Sequence, residues 1–291
     1  MSRSLALYSE TLDAAGSDAL RARFPDGSTR RLHVERWLQA ADEIDERCLR
    51  FLNGPVLDIG CGPGRHLHAL TRRGVFGLGV DISDTAVRLA RGTGASAIVA
   101  SVFDDLPGTG HWQSALLLDG NIGIGGRPVR LLERIAMLLA PAGQILVELD
   151  APDRPTAQTR IRLETADCCG EWFAWAEVSA TGIGGTAGAA GMLVARQWSE
   201  AGRWFALLER AAITGGVALR AMPEVGGPVR IDYLGSTARG VVHSVDEQAR
   251  RLEVTTEDGQ TLTFELNRAT ATFTVDGNQT GPRLSFEAPG D

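Results

Sequence analysis

The sequence predicts an α/β protein: a Rossmann-like, doubly wound and mainly parallel sheet with a terminal antiparallel hairpin, followed by a small all-β barrel. Three observations predict it. Apolar runs alternate with helical stretches between residues 54 and 150. A glycine-rich turn follows the first of those runs. After about Pro223 short strands separated by turns take over. Strands of continuous apolar character, alternating with helices, belong to a parallel sheet covered on both faces.

The elements follow in order. Residues 1–52 read as an N-terminal helical cover. "HVERWLQAADEIDERCLRFL" (33–52) repeats apolar residues at helical intervals, with Trp37, Ile44 and Cys48 among them, and Asp26–Gly27 makes a turn upstream. The core spans 53–212. Strands are expected at 56–59, 75–80, 97–102, 114–118 and 143–149. The intervening helices run over 65–73, closed by Gly74, then from Ser83 as N-cap to Arg91, and from Pro128 at a favoured first position to Leu139. An insert of about 151–192 follows. In it "RIRLE" (160–164) and "EWFAWAEV" (171–178) can pair, and "TGIGGTAGAAG" (181–191) is flexible or a poor helix. Residues 193–198 and 203–210 flank Glu200–Gly202 and read as the terminal hairpin. Residues 223–291 hold "VRIDYLG", "RGVVHSV", "RLEVTTE", "TLTFEL" and "TATFTV", with turns at Asp258–Gly259 and Asp276–Gly277, in the manner of an SH3-like module.

Composition narrows the function classes. The chain has 291 residues, 44% hydrophobic and 22% charged, as in ordinary globular proteins. Its net charge of −7 disfavours a broad contact with a phosphate backbone. All 29 basic residues are arginine, so no lysine can form a Schiff base or serve as a base. No apolar run is long enough to span a bilayer, and no signal peptide is evident. Cys48, Cys61, Cys168 and Cys169 show no disulfide-framework spacing, which points to a reducing, cytoplasmic setting. No Cys/His cluster has metal-ligand spacing, so no metal is expected.

The chemistry concentrates in "GPVLDIGCGPGRH" (54–66). A strand, a glycine-rich turn and a helix form a crevice whose free backbone N–H groups suit a polar or anionic ligand. A dinucleotide site would show G-x-G-x-x-G, but Gly60, Gly62 and Gly64 are evenly spaced and Arg65 fills the third slot of that motif. Asp58 precedes the turn from within the strand. Asp81 ends the next strand in "GLGVDIS", where an acid can grip both hydroxyls of a ribose.

"VLDIGCGPG", "GVDIS" and "SVFDDLP" together resemble the class I S-adenosylmethionine-dependent methyltransferase family, over roughly 54–210. That resemblance implies S-adenosyl-L-methionine as cofactor. It implies that Asp58 orients the loop and the cofactor's amino end. Gly60, Cys61, Gly62 and Gly64 let the methionine part lie on the backbone. Asp81 takes the ribose, Ile82 packs on the adenine, and Val102 and Phe103 flank it. Many relatives carry an acid at the position of Val102, so here the adenine amine falls to the backbone or to Asp104. "LLLDGNIGIGG" (116–126) resembles a subset of bacterial methyltransferases of unassigned substrate. It lacks the Asn/Asp-Pro-Pro-aromatic pattern used on exocyclic and amide nitrogens.

The implied reaction is methyl transfer by direct in-line displacement to a small-molecule acceptor, at oxygen. A hydroxyl acceptor needs a base, for which Asp119 and His111 are candidates, with Asn121 orienting the acceptor and Asp119 also near the cofactor. Asp119 ahead of Gly120 is equally an ordinary turn residue. Gly123, Gly125 and Gly126 suggest a mobile or close-fitting loop over the acceptor. Tyr8 and the surroundings of Trp37 would close over the site. Trp172, Trp175, Trp198 and Trp204 read as packing, or as walls of an apolar pocket. Two alternatives are a cofactor-binding sensor or partner module without transfer, and a methyltransferase acting on a protein or RNA recruited by the C-terminal barrel. That barrel carries six arginines against eleven acids over 223–291, which makes nucleic acid an improbable partner. It equally suits a stabilising appendage or a homodimer contact.

Overall fold

The computed structural model describes residues 2–15, 20–210, 225–226, 228–233, 236–246, 251–257, 259–267, 272–275 and 283–286. Two units, Met1–Arg210 and Ala211–Asp291, divide the chain.

The leader of the first unit is not purely helical. Helix α1 (Arg3–Asp13) opens with Ser2 as N-cap. A hairpin follows, β1 (Arg21–Arg23) and β2 (Thr29–Arg31), with Asp26–Gly27 in its turn. The stretch 33–52 then splits into α2 (Val34–Trp37) and α3 (Glu43–Leu49). Asp42 causes the break. Its carboxylate accepts from the Asp45 N–H at 2.8 Å, while the Asp45 carboxylate accepts from the Asp42 N–H at 3.2 Å, a reciprocal cap that starts a new helix.

The α/β layer runs β3 (Val56–Ile59), α4 (Arg65–Arg72), β4 (Gly77–Asp81), α5 (Asp84–Gly92), β5 (Ser96–Val99) and β6 (Trp112–Leu117). A 3-10 turn over Asn121–Gly126, helix α6 (Pro128–Leu138) and β7 (Leu139–Leu149) complete it. β3 and β4 are buried along their whole length, as central parallel strands must be. Next come β8 (Ala157–Glu164), β9 (Phe173–Glu177), α7 (Ile183–Ala189), β10 (Met192–Glu200) and β11 (Arg203–Arg210).

The main sheet has the order β10-β11-β7-β6-β3-β4-β5. Its strands pair in parallel from β5 to β7, and β11 is antiparallel to β7. From β3 the chain winds outward to β4 and β5, then returns to β6 on the other side. The order therefore reverses between β3 and β6, and a crevice opens at their carboxyl ends. Leu57, Val80, Leu117, Leu131, Ile135 and Val147 are among the buried residues on one face, with Cys48, Leu49, Leu116 and Phe205 on the other.

β8 and β9 pair as expected, but they join the leader hairpin. The second sheet has the order β2-β1-β8-β9, with Ala22 opposite Leu163. It has its own apolar core of Leu7, Leu20, Phe24, Val34 and Ile161, which also takes in Ala86 of α5. The cover is thus a sheet with one helix laid on it.

In the second unit, β12 (Pro228–Tyr233), β13 (Ser236–Asp246), β14 (Arg251–Thr256), β15 (Thr261–Asn267), β16 (Thr272–Val275) and β17 (Arg283–Phe286) are antiparallel neighbours in turn. β17 also pairs with β12. Sequence reading missed β17, a four-residue segment. Val229, Val242, Leu252, Val254 and Phe264 fill the interior. The Pro223 boundary, Asp258 and the Asp276–Gly277 turn lie outside the described residues.

Candidate active site

The turn after β3 is shaped by glycine. Gly60, Gly62 and Gly64 all have positive φ, and Gly64 at +87° is the residue before α4. At Gly62 a Cβ would project toward the Tyr8 hydroxyl, 3.4 Å away, into the space over the loop. The Gly60 and Cys61 N–H groups donate to the Val80 carbonyl at 2.8 and 3.1 Å, which ties the turn to β4. Asp81 completes the tie: its carboxylate accepts from Gly62 N–H at 3.0 Å and Ser83 N–H at 2.8 Å. Burial raises its pKa against those hydrogen bonds. Asn121 braces the same turn from the 3-10 turn after β6, its amide donating to the Ile59 and Gly60 carbonyls at 2.9 and 3.0 Å.

Beneath the turn lies an ionic network. Arg65, 6% exposed, donates from one nitrogen to Asp45 and from the other to both oxygens of Asp119 at 3.0 and 2.8 Å. Arg203 donates to Asp45 at 2.8 Å and to both oxygens of Glu148 at 2.8 Å. Glu148 in turn accepts from the Asp119 N–H at 2.9 Å. Burial works against the charge of Asp45, but His66, Arg65 and Arg203 overcome it and hold its pKa well below the usual range. Burial is likewise overcome at Asp119 by Arg65 and His66. Asp58 has the opposite balance. Burial raises its pKa to about 6 despite the neighbouring His66, because its Oδ2 has no hydrogen-bond partner and His66 Nδ1 stands 3.8 Å away.

A cavity of about 470 Å³ opens above the turn. One wall carries Gly60, Cys61, Gly62, Asp81 and Ile82. The opposite wall comes from the cover and is mostly apolar: Phe24, Leu32, Ile161, Leu163, Phe173 and Trp175. Tyr8 and Trp37, packed edge to face at 6.0 Å, also line it. Burial, then the charge of Asp81, raises the Tyr8 pKa and keeps its phenol a donor. Arg30 is the cover's charged contribution, and Asp150 and Glu177 already pair with it.

The cavity gathers many of the residues expected from sequence and leaves out others. Gly60, Cys61, Gly62, Asp81, Ile82, Val102, Asp119 and Asn121 line it. Ile82 is 58% exposed, an apolar side chain offered to the cavity. Gly64 does not line it and packs instead on Ala90 of α5. Asp58 lies under the turn. Phe103 is turned away, with Arg130 over its ring at 5.5 Å. Asp104 accepts from Ser101 N–H at 2.8 Å and does not line the cavity.

Three assignments need correction. His111 precedes β6 and so sits at the amino end of the sheet, opposite the crevice, exposed and bonded to the Thr109 carbonyl; it cannot reach an acceptor. Asp119 is a poor base because Arg65 holds both its oxygens. Asn121 spends its amide on the turn and orients that turn. Burial also raises the Cys61 thiol well above its usual range, which removes it as a nucleophile. The glycine loop proves close-fitting: a Cβ at Gly123 would strike the Ala176 carbonyl and the Trp175 ring.

Arg65, Asp45, Glu148, Arg203 and Arg30 were missed. An arginine directly after the glycines was the available signal for the first. The others meet only through tertiary structure.

A family model described as a methyltransferase domain matches residues 56–143. No curated protein matches the chain. The S-adenosylmethionine-dependent methyltransferase from Bacteroides fragilis, solved with S-adenosyl-L-homocysteine, is 22% identical, with 70% of this chain and 93% of that one covered at a TM-score of 0.58. The 1,6-didemethyltoxoflavin-N1-methyltransferase of Burkholderia thailandensis is 19% identical, with 58% and 79% covered at a TM-score of 0.43. The CcbJ methyltransferase of Streptomyces caelestis is 14% identical, with 60% and 92% covered at 0.48. Only the first of these is close enough in shape to bear on the fold. The likeness to the Bacteroides fragilis structure is one of fold, and the family model places a methyltransferase domain at residues 56–143.

Proposed function

We propose that the protein transfers a methyl group from S-adenosyl-L-methionine to a small-molecule acceptor at oxygen, by direct in-line displacement. One observation carries this reading: a single cavity has a bare, carboxylate-edged wall on one side and an apolar, aromatic wall on the other.

The residues fit the cofactor. The orphaned Oδ2 of buried Asp58, the space over Gly62, and the pairing of Asp81 with exposed Ile82 suit an amine, a backbone-hugging chain, and a ribose with its base. Asp58, Gly60 and Gly62 would hold the methionine part, Asp81 the ribose, and Ile82 and Val102 the adenine. The adenine amine falls to the backbone near Ser101. When bound, this cofactor supplies an activated methyl group on a sulfonium.

The chain's own part is positioning and exclusion of water, which can lower a bimolecular barrier by about 7–11 kcal/mol. Phe24, Ile161, Leu163 and Trp175 confine the acceptor, while Tyr8 offers it a hydrogen bond. Among oxygen acceptors, one that is already anionic suits this cavity best, because Asp119 is bound to Arg65 and Tyr8 stays protonated. Neither Cys61 nor Tyr8 is nucleophilic, which favours a direct path over a covalent intermediate.

Calorimetry with S-adenosylmethionine and S-adenosylhomocysteine, then a mass-spectrometric screen of acceptors for the gain of one methyl, tests the proposal. Binding of both ligands and methylation of a small oxygen acceptor are expected. Binding without transfer to any small molecule would overturn it.

A further inference from the structure

A second, more open cavity of about 480 Å³ adjoins the first, and Gly125 and Ala174 line both. Its character is different. Arg127, Gln158, Thr159 and Arg160 line it, and no carboxylate is among its described lining residues.

The surroundings of the first cavity differ. The net charge is −7, and the arginines around the first cavity are taken by acids: Arg30 by Asp150 and Glu177, Arg65 by Asp45 and Asp119, Arg203 by Asp45 and Glu148. Arg127 has no ion pair or side-chain hydrogen bond among the described residues. Arg160 donates only to the Trp172 carbonyl, at 3.1 Å. Both side chains are exposed, and the backbone sets where they start. Arg127 sits between the turn and Pro128 of α6, whose amino end adds positive potential. Arg160 is in register opposite Ala174 across the β8–β9 pair.

Two unneutralised guanidinium groups beside an amide and a hydroxyl form a receptor for an oxyanion. We infer that the acceptor is bipartite: an apolar, aromatic-sized body against Phe24 and Trp175, and a carboxylate or phosphate group over Arg127 and Arg160. This rests on the small-molecule reading of the first cavity, since it asks what that molecule carries at its far end.

The test is displacement of a fluorescent neutral probe, phenylnaphthylamine, from the full chain by naphthylbutyrate, naphthyl phosphate and the uncharged naphthylbutyramide. At least one charged competitor should displace it about 10-fold better than the amide. The advantage should vanish in Arg127→Ala/Arg160→Ala, with the amide unchanged. The carboxylate and phosphate arms show which oxyanion is preferred. Equal displacement by all three in the wild type, or an advantage that survives the double substitution, overturns the inference. Calorimetry with S-adenosylhomocysteine on the same two proteins keeps the readings apart: its failure would count against the cofactor site and leave the charge preference standing.

Discussion

The wall built from β3, β4 and the turn between β3 and α4 offers carboxylates and bare main chain. The wall built from β1, β8 and β9 offers hydrocarbon and aromatic rings. The first is assembled within some 25 residues of one another in the sequence, Asp58 to Asp81. The second joins Ala22 to Leu163 across the whole α/β layer. A ligand common to many enzymes can be held by a local pattern. A ligand peculiar to one enzyme is held by a surface that exists only after distant segments have met.

That contrast can be broken most forcefully at the network under the turn. Arg65→Met should strip the Asp119 carboxylate of its hydrogen-bonded arginine, leave Asp45 with Arg203, and cost about 3–5 kcal/mol of stability, read by chemical denaturation. A loss below 1 kcal/mol would mean that the two walls do not share this foundation. The wall proposed to hold the cofactor is struck alone by Asp81→Asn. It should weaken S-adenosylhomocysteine by about 10–100-fold in calorimetry, as expected when charged hydrogen bonds are lost.

Asp58 gives a pH signature. Its native pKa of about 6 exceeds the ordinary 3.8, so the native state of the unliganded protein holds the proton more tightly than the unfolded chain does. Stability from this group is full at low pH and declines as pH rises to about 6, by up to about 3 kcal/mol. Asp58→Asn should flatten that part of the pH–stability curve; an unchanged slope would refute the buried, unpartnered carboxyl. Asp45 and Asp119 have lowered values and opposite sign, losing their contribution only as the medium turns more acid.

The acceptor wall should respond independently. Trp175→Ala should alter which acceptors are methylated while S-adenosylhomocysteine affinity stays within about twofold; parallel loss of both would erase the distinction between walls. Smallest of all, His111→Ala should leave turnover unchanged in the same assay, because the ring lies at the far end of the sheet.

The α/β layer was legible because its strands are largely apolar runs, Ser83 caps α5, Pro128 opens α6, and Gly74 follows α4. Gly60, Gly62, Asp81 and Ile82 were legible for the same reason: one turn and one strand end place them. The leader hairpin was not. β1 and β2 are three residues each and rich in arginine, and only the free edge of β8 makes them strands. His111 misled because closeness in sequence to β6 says nothing about which end of the strand is meant. Asp119 misled because its partner, Arg65, comes from 54 residues earlier. Asp45 was hidden for a subtler reason: as a helix-cap partner it looks like any surface acid, yet the same carboxylate is fully buried between two arginines.

That double duty of Asp45 has an engineering consequence. A designer who wished to graft the leader and cover of this enzyme onto another methyl-transfer engine, to import its taste in substrates, would find the piece wired to the chassis. Asp45, Arg65 and Arg203 would have to travel as a set, or the transplant would arrive with an orphan charge beneath the catalytic floor.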